Sequence, residues 1–372
     1  MTRAVAYFGT YDPAYPRNSV LIAGLRELGV SVLEFHASLP VLTAAQMATP
    51  RGAVRLAAGV AEAHARLFAQ HRRQLQIDAV VVGYPGHFLV PFGRVMAIFR
   101  HARLVFDPLV SLRDTFAGDR GLVPAAGWKA AAVGAVDRAA FALPSLVLAD
   151  TWAHAAYYEA EFALPRRNLA VVPVGALPAA QATGSARPLA HDEPVTVFQY
   201  GKWSPLHGAE TVLAAAELLR AEPFRFVLAG EGQLSDTLRA EIARRGLVNI
   251  EWLGSLSLPE LRVHTLAADV CLGVFGGSDK AARVVPNKVY DALACGRPVV
   301  TAGTPGAREL LHDGEDALLV PAADGDALAA ALRRLLVVDE RGRLGAAALA
   351  LYRRALTPPL IAAGLLAALE AT

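Results

Sequence analysis

The chain has 372 residues, more than one hydrophobic core usually supports, so the sequence predicts two domains. Its 54% hydrophobic and 19% charged content excludes an intrinsically disordered protein. The net charge of only +2 gives no sign of a nucleic-acid partner.

No stretch reaches the roughly 18 uncharged apolar residues that a membrane span requires. The chain begins directly in a predicted strand, without a leader pattern. We therefore expect a cytoplasmic protein whose contact with the inner membrane surface is at most weak and peripheral. Cys271 and Cys295 both lie in apolar segments, which favours buried free thiols over a disulfide or a metal site.

The first predicted strand, Ala4 to Phe8, leads through a turn into an amphipathic helix and a second strand. This βαβ pattern predicts a parallel sheet, and ligands bind beyond the carboxyl ends of such strands. Gly9, Thr10 and Arg17 follow the first strand and are therefore candidates for ligand contact. The alternative is that Gly9 only permits the turn and Arg17 is a solvated loop charge.

Polar residues also follow the later strands of this N-terminal half. His87 lies after the strand Ala79 to Val82, and Asp107 lies directly after Leu104 to Phe106, with Asp114 close behind. Their position predicts that they reach a ligand site at the same edge of the sheet. Asp and His at strand ends are also common caps and turn formers, so a purely structural role is the alternative.

The second half repeats the strand and helix alternation. We predict an N-terminal Rossmann-like domain over 1–176, a linker over 177–194 that is rich in Ala, Pro, Gly and Ser, and a second Rossmann-like domain over 195–340. The tail, 341–372, is predicted to be helical and broken at Pro358-Pro359.

One stretch of the second half predicts a binding site for an anion. The apolar strand Val270 to Phe275 leads into a charged, glycine-rich loop, and Pro286 stands where a helix should begin. That helix is predicted to end near Cys295, before Gly296 and a further strand. Its N-terminus would direct free amides and a positive dipole end at an anionic ligand such as a diphosphate.

Four stretches together carry a family resemblance. They are Tyr200 to Gly208 (YGKWSPLHG), Leu228 to Gly232 (LAGEG), Gly276 to Thr301, and Asp313 to Pro321 (DGEDALLVP). In this order they resemble the nucleotide-sugar half of a glycosyltransferase family 4 enzyme of the GT-B fold.

The resemblance implies an α/β protein of two Rossmann-like domains facing each other across a cleft, with a late helix that crosses back to the N-terminal domain. It also implies transfer of a sugar, with retention and without a metal or cofactor, from a nucleotide-diphosphate donor in the C-terminal domain. The acceptor hydroxyl, on a glycan, glycolipid or small molecule, would bind in the N-terminal domain.

The resemblance assigns the diphosphate to Lys202 and His207, which stand where the family commonly has an Arg and a Lys. His207 would contribute charge only if a neighbouring phosphate raised the pKa of its imidazole. Lys280 or Arg283 is the alternative source of the missing charge. Lys202, His207 and Asp107 are the predicted catalytic residues, and a turn-forming role is the alternative for the first two.

Arg283 and Asp291 match two glutamates that the family places eight positions apart. Asp291 would accept the ribose hydroxyls. Arg283 reverses the charge of the sugar-facing glutamate, which suggests an unusual or acidic donor sugar, or a shifted alignment. The predicted acceptor contacts are Arg17, His87, Asp107 and Asp114. The donor contacts add Gly9, Thr10, Gly201, Gly230, Gly232, Gly254, Ser255, Lys280, Pro286, Asn287 and Lys288.

Two other functions stay open on the sequence. One is a different GT-B enzyme, such as a sugar phosphorylase or an epimerase. The other is a non-catalytic partner subunit that binds a nucleotide or glycan, which the departures at Lys202, His207 and Arg283 would suit. Asp324-Gly325-Asp326 resembles a metal-binding Asp-x-Asp, but it precedes a helix, where Asp324 is predicted to be an ordinary N-cap.

Overall fold

The computed structural model describes residues 2–38, 49–71, 76–124, 126–179 and 193–371. It divides into two compact units. The first unit is Met1–Val174 together with Pro358–Thr372, and the second is Gly175–Thr357. Most of the predicted linker, residues 180–192, lies outside the described residues.

The first unit is built on a parallel sheet whose described strands follow the order β2-β1-β3-β4-β5-β6. Val5 pairs with Val32 on one side and with Ala79 on the other. The inner strands are short runs rich in Val, Ala, Leu and Phe, because both faces of the sheet are covered there. They are β1 (Ala4–Gly9), β2 (Ser31–His36), β3 (Ala79–Val82), β4 (Arg103–Phe106), β5 (Leu146–Ala149) and β6 (Leu169–Val171).

Helices cover the sheet of the first unit, and its core gathers around aromatic residues such as Phe8, Phe106 and Phe141. The longest of these helices spans Pro50–His71. The helices are α1 (Pro16–Glu27), α2 (Pro50–His71), α3 (Val90–Arg100), α4 (Trp128–Ala142) and α5 (Trp152–Phe162).

The second unit has a parallel sheet of its own, with the described strands in the order β12-β11-β10-β7-β8-β9. Counted within the unit this is 6-5-4-1-2-3, the strand order of the doubly wound dinucleotide-binding fold. The strands are β7 (Val195–Tyr200), β8 (Phe224–Ala229), β9 (Ile250–Trp252), β10 (Val270–Leu272), β11 (Val299–Ala302) and β12 (Leu318–Val320).

The helices of the second unit connect these strands and bury an aliphatic core that includes Val212, Leu213 and Leu332. Cys271 and Cys295 are buried free thiols, as the sequence predicted, and burial raises the pKa of Cys295 to about 11. The helices are α6 (Ala209–Leu218), α7 (Ser235–Arg245), α8 (Leu258–Ala267), α9 (Asp279–Arg283), α10 (Asn287–Ala294), α11 (Pro305–Arg308), α12 (Gly325–Arg334) and α13 (Val338–Ala355).

The last helix, α14 (Pro358–Ala371), belongs to the first unit, as the resemblance implied for a late helix. It packs closely on α1. A side chain at Gly24 of α1 would clash with the carbonyl group of Pro358, so only glycine allows this approach. The run Val338–Ala371 is apolar enough to be a candidate membrane span by length and composition. This run, however, consists of two helices that belong to different units. Its apolar composition is therefore weak evidence for a membrane span.

The stretch predicted to bind an anion differs in detail from the expectation. Pro286 has an extended backbone and is the N-cap, so α10 begins at Asn287 rather than at the proline. The charged loop before it contains the short helix α9, whose first amides are capped by Ser278. Gly296, with φ of +64°, ends the segment in the left-handed conformation expected after a helix.

Candidate functional site

The strand order of the second unit indicates where a ligand would bind. β7 and β10 are neighbours in the sheet, although β8 and β9 lie between them in the sequence, so the direction of winding changes between them. Ligands of doubly wound sheets bind at such a switch point, beyond the carboxyl ends of the strands. The loops that follow β7 and β10 are therefore the candidate site, and the first of them holds Lys202 and His207.

These two loops are locked together through backbone contacts. The amide of Phe275 donates to the carbonyl of His207 over 3.1 Å, and the amide of Gly276 donates to the carbonyl of Leu206 over 3.2 Å. Gly208 has φ of +61°, and a side chain there would clash with the backbone of Phe275. Only glycine allows both this conformation and this approach.

The loop after β8 joins the same assembly. A side chain at Gly230 would clash with the carbonyl of Gly201, and one at Gly232 would meet the backbone of Lys202. The indole nitrogen of buried Trp203 donates to the carbonyl of Gly230 over 3.0 Å. These two glycines thus allow one loop to pack on another, and their predicted contact with a ligand stays a prediction.

His207 is held in one orientation by Ser204. The backbone amide of Ser204 donates to Nδ1 of His207 over 3.2 Å, as part of a reciprocal cap at the start of the Pro205–His207 turn. Because Nδ1 accepts this hydrogen, the proton of the neutral ring is on Nε2. Nε2 lies against Gly201, where no side chain could fit. With Nδ1 accepting from the protein, Nε2 is the ring nitrogen that would donate, and the predicted contact of His207 with a diphosphate stays a prediction.

Lys202 is exposed at the end of β7. Among the described residues, no hydrogen bond or ion pair engages its ammonium group. Its backbone is fixed by the packing of Gly232, while its side chain stays available to a ligand. A cation on a fixed loop at the switch point is suited to hold an anion.

Lys288, in the first turn of α10, is a different kind of cation. Its side chain is only 6% exposed, and its ammonium nitrogen has no hydrogen-bond partner among the described residues. Burial lowers the pKa of Lys288 to about 7. The sequence supplied Lys288 only through the family resemblance, and nothing in the sequence pattern indicated its burial.

Asp291, one turn further along α10, is already engaged. The hydroxyl of Tyr200 donates to Oδ2 of Asp291, which ties the helix to the end of β7. Burial raises the pKa of Asp291, and the hydrogen bond from Tyr200 opposes that shift. Tyr200 was not among the predicted site residues, and no sequence signal connects positions 91 residues apart. The ribose contact of Asp291 stays a prediction.

The other predicted donor residues of the second unit lie in the segments that follow β10 and β9. Lys280 and Arg283 lie on α9, and Asn287 and Pro286 lie at the start of α10. The residues after β9 are less clearly aimed at a ligand: the carbonyl of Gly254 accepts from Gly230, and Ser255 is exposed. Their donor contacts likewise stay predictions.

The first unit has a comparable switch point between β1 and β3. The loops after these strands contain Gly9-Thr10 and His87, and the hydroxyl of Thr10 donates to the carbonyl of Pro85 over 3.0 Å. The sequence therefore placed these residues at the appropriate edge of the sheet.

Arg17 and Asp107 form a buried ion pair in the first unit, with 2.7 Å between Nε and Oδ2 and both side chains 1% exposed. Arg17 also donates to the carbonyls of Val172 and Pro173. Burial raises the pKa of Asp107, and the positive charge of Arg17 opposes this shift. These contacts give both residues a structural role, and their predicted roles toward an acceptor stay predictions.

His87 is buried as well. Its Nε2 lies 3.0 Å from the carbonyl of Val110, which anchors the loop after β4, and its ring packs edge-on against Phe106. Burial lowers the pKa of His87, partly offset by the negative charge of Asp137. Asp114 opens a short π-helical turn, Asp114–Asp119, and is half-buried.

Within the part of the chain that the structure describes, no group of three or more His, Cys, Asp or Glu side chains could hold a metal ion. Asp324 accepts a hydrogen bond from the amide of Ala327 and caps α12, as predicted for the Asp-x-Asp segment.

Residues 194–337 match the family model described as glycosyl transferases group 1. The match spans the three interlocked loops, α10 and both predicted phosphate contacts.

Glycosyltransferases of known name are similar in sequence to this chain over part of their length. WbjE of Pseudomonas aeruginosa, named a probable glycosyltransferase, is 30% identical over 117 residues, which are 30% of this chain and 28% of WbjE. The amylovoran biosynthesis glycosyltransferase AmsK of Erwinia amylovora is 26% identical over 147 residues, which are 38% of this chain and 36% of AmsK. The chain thus matches about a third of the length of these relatives.

Solved structures are similar in fold to this chain over nearly its whole length. The structure of Anabaena HepE in complex with UDP-glucose is similar with a TM-score of 0.68 and 16% identity, covering 100% of both chains. Sucrose-phosphate synthase from Thermosynechococcus elongatus is similar with a TM-score of 0.70 and 17% identity, covering 98% of this chain and 97% of the other. At these identities the likeness shows the fold, and it confirms the predicted GT-B fold of two parallel, helix-covered sheets. Together the comparisons support a glycosyltransferase, as the four stretches indicated.

Proposed function

We propose that the chain is a glycosyltransferase that moves a sugar from a nucleotide-diphosphate donor, bound by the second unit, to an acceptor hydroxyl bound by the first unit. One observation carries the proposal. At the switch point of the second sheet, loops locked by Gly208 and Gly230 hold the exposed ammonium of Lys202 and the Nε2 side of His207 on one short segment.

The chemistry of sugar transfer fits this arrangement. As the glycosidic bond breaks, negative charge grows on the leaving diphosphate, and a preorganised cation or N–H donor stabilises that charge. Lys202 supplies a cation, and the neutral ring of His207 supplies an N–H donor whose direction Ser204 fixes. The first turn of α10 adds backbone amides at the positive end of its dipole.

The donor base is proposed to be uracil, because HepE was solved with UDP and with UDP-glucose. We further propose that transfer proceeds with retention and without a metal, since the family that the four stretches resemble works in this way. The acceptor class, a glycan, glycolipid or small molecule, is supported only by relatives such as AmsK, whose name assigns it to amylovoran biosynthesis.

The experiment is a thermal-shift panel with UDP, GDP, dTDP and ADP, with and without EDTA, followed by release of nucleotide diphosphate from the matching sugars. A ligand at 100 times its Kd should raise the free energy of unfolding by about 2.7 kcal/mol. We expect UDP to stabilise the protein equally in EDTA. Binding without turnover of any donor and acceptor pair would favour the non-catalytic partner subunit. Stabilisation by none of the four nucleotides would contradict the proposal.

We propose a cytoplasmic location with weak contact to an anionic membrane surface. α3 exposes Val95, Ile98 and Phe99, the last at 74%, next to exposed Arg94. Apolar side chains beside an arginine are typical of helices that lie in a lipid interface. The double variant Ile98→Ser/Phe99→Ser should reduce flotation with phosphatidylglycerol vesicles, while Val248→Ser, at an exposed position of the second unit, should not. Equal flotation of both variants and the unchanged protein would contradict this contact.

A further inference from the structure

Lys288 has an unusual environment for a lysine. Its side chain is 6% exposed, and its ammonium nitrogen is buried without a hydrogen-bond partner among the described residues. An unpartnered buried cation opposes folding, because nothing replaces the water that it loses. A buried polar group of this kind needs an explanation, and a ligand that supplies the missing partner is one.

The protein groups around α10 do not supply that partner. α10 packs against α8, α13, β10 and β11. Burial lowers the pKa of Lys288, and its ammonium nitrogen has no hydrogen-bond partner on these elements among the described residues. The carboxylate on its own helix, Asp291, accepts its hydrogen bond from Tyr200. The titratable groups on the four packed elements are Glu260, Arg262, His264, Cys271, Asp339, Glu340, Arg341, Arg343, Tyr352, Arg353 and Arg354.

The position of Lys288 indicates what the partner would be. It is the second residue of α10, in the turn whose backbone amides have no partners within the helix. The segment that leads to this turn leaves β10 at the switch point, where Phe275 and Gly276 bond to the loop of Lys202 and His207. An anion at this place would meet the helix N-terminus and the buried amine together.

We propose that Lys288 binds the diphosphate of the donor and takes up a proton from solvent as the donor binds. This inference rests on the proposed function, because the donor is the anion that it invokes. Near pH 8 the free protein holds Lys288 mainly as a neutral amine, which is what makes its burial tolerable. The arriving phosphates favour the ammonium form, so one proton enters the site with the ligand.

Lys288 therefore differs from Lys202 in a measurable way. Lys202 is exposed and engaged by no other described residue, so it lacks the burial that distinguishes Lys288. Its contribution to affinity should be constant with pH. The contribution of Lys288 should weaken as pH rises above 7, because the proton becomes harder to obtain.

The experiment measures the Kd for UDP by calorimetry between pH 7.5 and 9, where the terminal phosphate of UDP no longer titrates. For the unchanged protein we expect Kd to rise by up to about tenfold per pH unit. Lys288→Met should bind UDP more weakly at pH 7.5 and show a Kd that is nearly flat with pH. Lys202→Met, the matched control, should weaken binding by a constant factor and keep the slope of the unchanged protein.

A second measurement needs no variant and covers the case in which Lys288→Met fails to fold. Calorimetry at pH 8.5 in two buffers of different ionisation enthalpy gives the number of protons taken up by the unchanged protein. We expect nearly one proton per UDP. A value near zero, or an equal pH slope in Lys288→Met and the unchanged protein, would overturn the role of Lys288 while leaving UDP binding intact. Absence of UDP binding at every pH would overturn the proposed uracil-nucleotide donor and this inference with it, so the two failures are distinguishable.

Discussion

The two units present a similar sheet edge with opposite chemistry. Both are parallel sheets with a switch point, and both have polar residues directly after the strands beside it. In the first unit Arg17 and Asp107 neutralise each other in the interior. In the second unit Lys202 is exposed, and the amine of Lys288 is buried without a partner among the described residues.

The difference shows that a position at a strand end is not enough to indicate a ligand contact. A polar residue that has its hydrogen-bond or ion-pair partners within the protein stabilises the fold. A polar residue at a switch point that lacks such partners is available to a ligand. The first pattern predicts losses of stability on mutation, and the second predicts losses of binding or turnover. Four substitutions test this division, two of them through stability and two through function.

The largest effect is expected from Arg17→Met in the first unit. Removing the guanidinium leaves Asp107 buried without its partner and frees the carbonyls of Val172 and Pro173. Breaking a buried pair in this way costs about 3–5 kcal/mol. Urea unfolding should show this loss, and the double variant Arg17→Met/Asp107→Leu should recover part of it. Full stability with lost activity would instead assign Arg17 to the acceptor site and remove the contrast between the units.

Lys288→Met should have the opposite effect on the free protein, and stabilise it. With its pKa lowered from 10.5 to about 7, Lys288 opposes folding fully below pH 7, and this penalty declines as pH rises toward 10.5. At about 1.4 kcal/mol per pKa unit, the penalty near pH 7.5 is about 4 kcal/mol at most.

The test compares the free energy of unfolding of the two proteins at pH 7 and pH 9, so that other titrating groups cancel. The advantage of Lys288→Met should shrink by about 2 kcal/mol between these values. An advantage that is constant with pH would mean that Lys288 is charged in the folded protein throughout. That result would remove the proposed difference between Lys288 and the exposed Lys202.

The third effect concerns turnover. Lys202→Ala should lower kcat by roughly 10²-fold or more, about 3 kcal/mol, as for the loss of one preorganised charge-stabilising group. Lys202→Arg should retain more activity than Lys202→Ala, because it keeps the positive charge at the diphosphate, and this charge contributes more than the exact shape of the side chain. His207→Ala should also lower kcat. The N–H donor that Ser204 fixes is present in neutral imidazole, so this loss should vary little between pH 7 and 8.5. An unchanged kcat in Lys202→Ala would leave Lys280, Arg283 and Lys288 as the candidate cations.

Much of the fold was predictable because its signals are local. The apolar runs of β3 and β10, the glycine after α10 and the cap at Asp324 each follow from a few neighbouring residues. For the site, the sequence predicted only which residues follow the carboxyl ends of strands and which match the motifs of the family. The Ser204 contact that fixes His207 follows a known capping spacing, and could have been inferred from the sequence.

The remaining features depend on residues far apart in the chain. Arg17 meets Asp107 across 90 positions, and Tyr200 meets Asp291 across 91. The burial of Lys288 results from packing by helices and strands that lie elsewhere in the sequence. No pattern within a short window contains this information. For the same reason, the sequence could not separate the satisfied polar residues of the first unit from the unsatisfied ones of the second.

The smallest effect is expected at Asp291, where the division between the two patterns is least sharp. The hydroxyl of Tyr200 occupies one carboxylate oxygen of Asp291, so the residue is half satisfied by the protein. Asp291→Asn keeps an oxygen that can accept from Tyr200, and should therefore fold normally. It replaces the second carboxylate oxygen, an acceptor, with an amide nitrogen, a donor. A ribose hydroxyl that donates to this oxygen would therefore lose its acceptor.

We expect Asp291→Asn to weaken UDP binding by about tenfold, or about 1.4 kcal/mol, while the Kd for inorganic pyrophosphate stays nearly unchanged. Pyrophosphate is the matched control because it has the phosphates and lacks the ribose. Calorimetry on both ligands gives the ratio directly. An equal loss for UDP and pyrophosphate would mean that Asp291 acts on the phosphate site through α10. Its bond to Tyr200 would then be its main role, and Asp291 would join Arg17 and Asp107 as a residue that the protein itself satisfies.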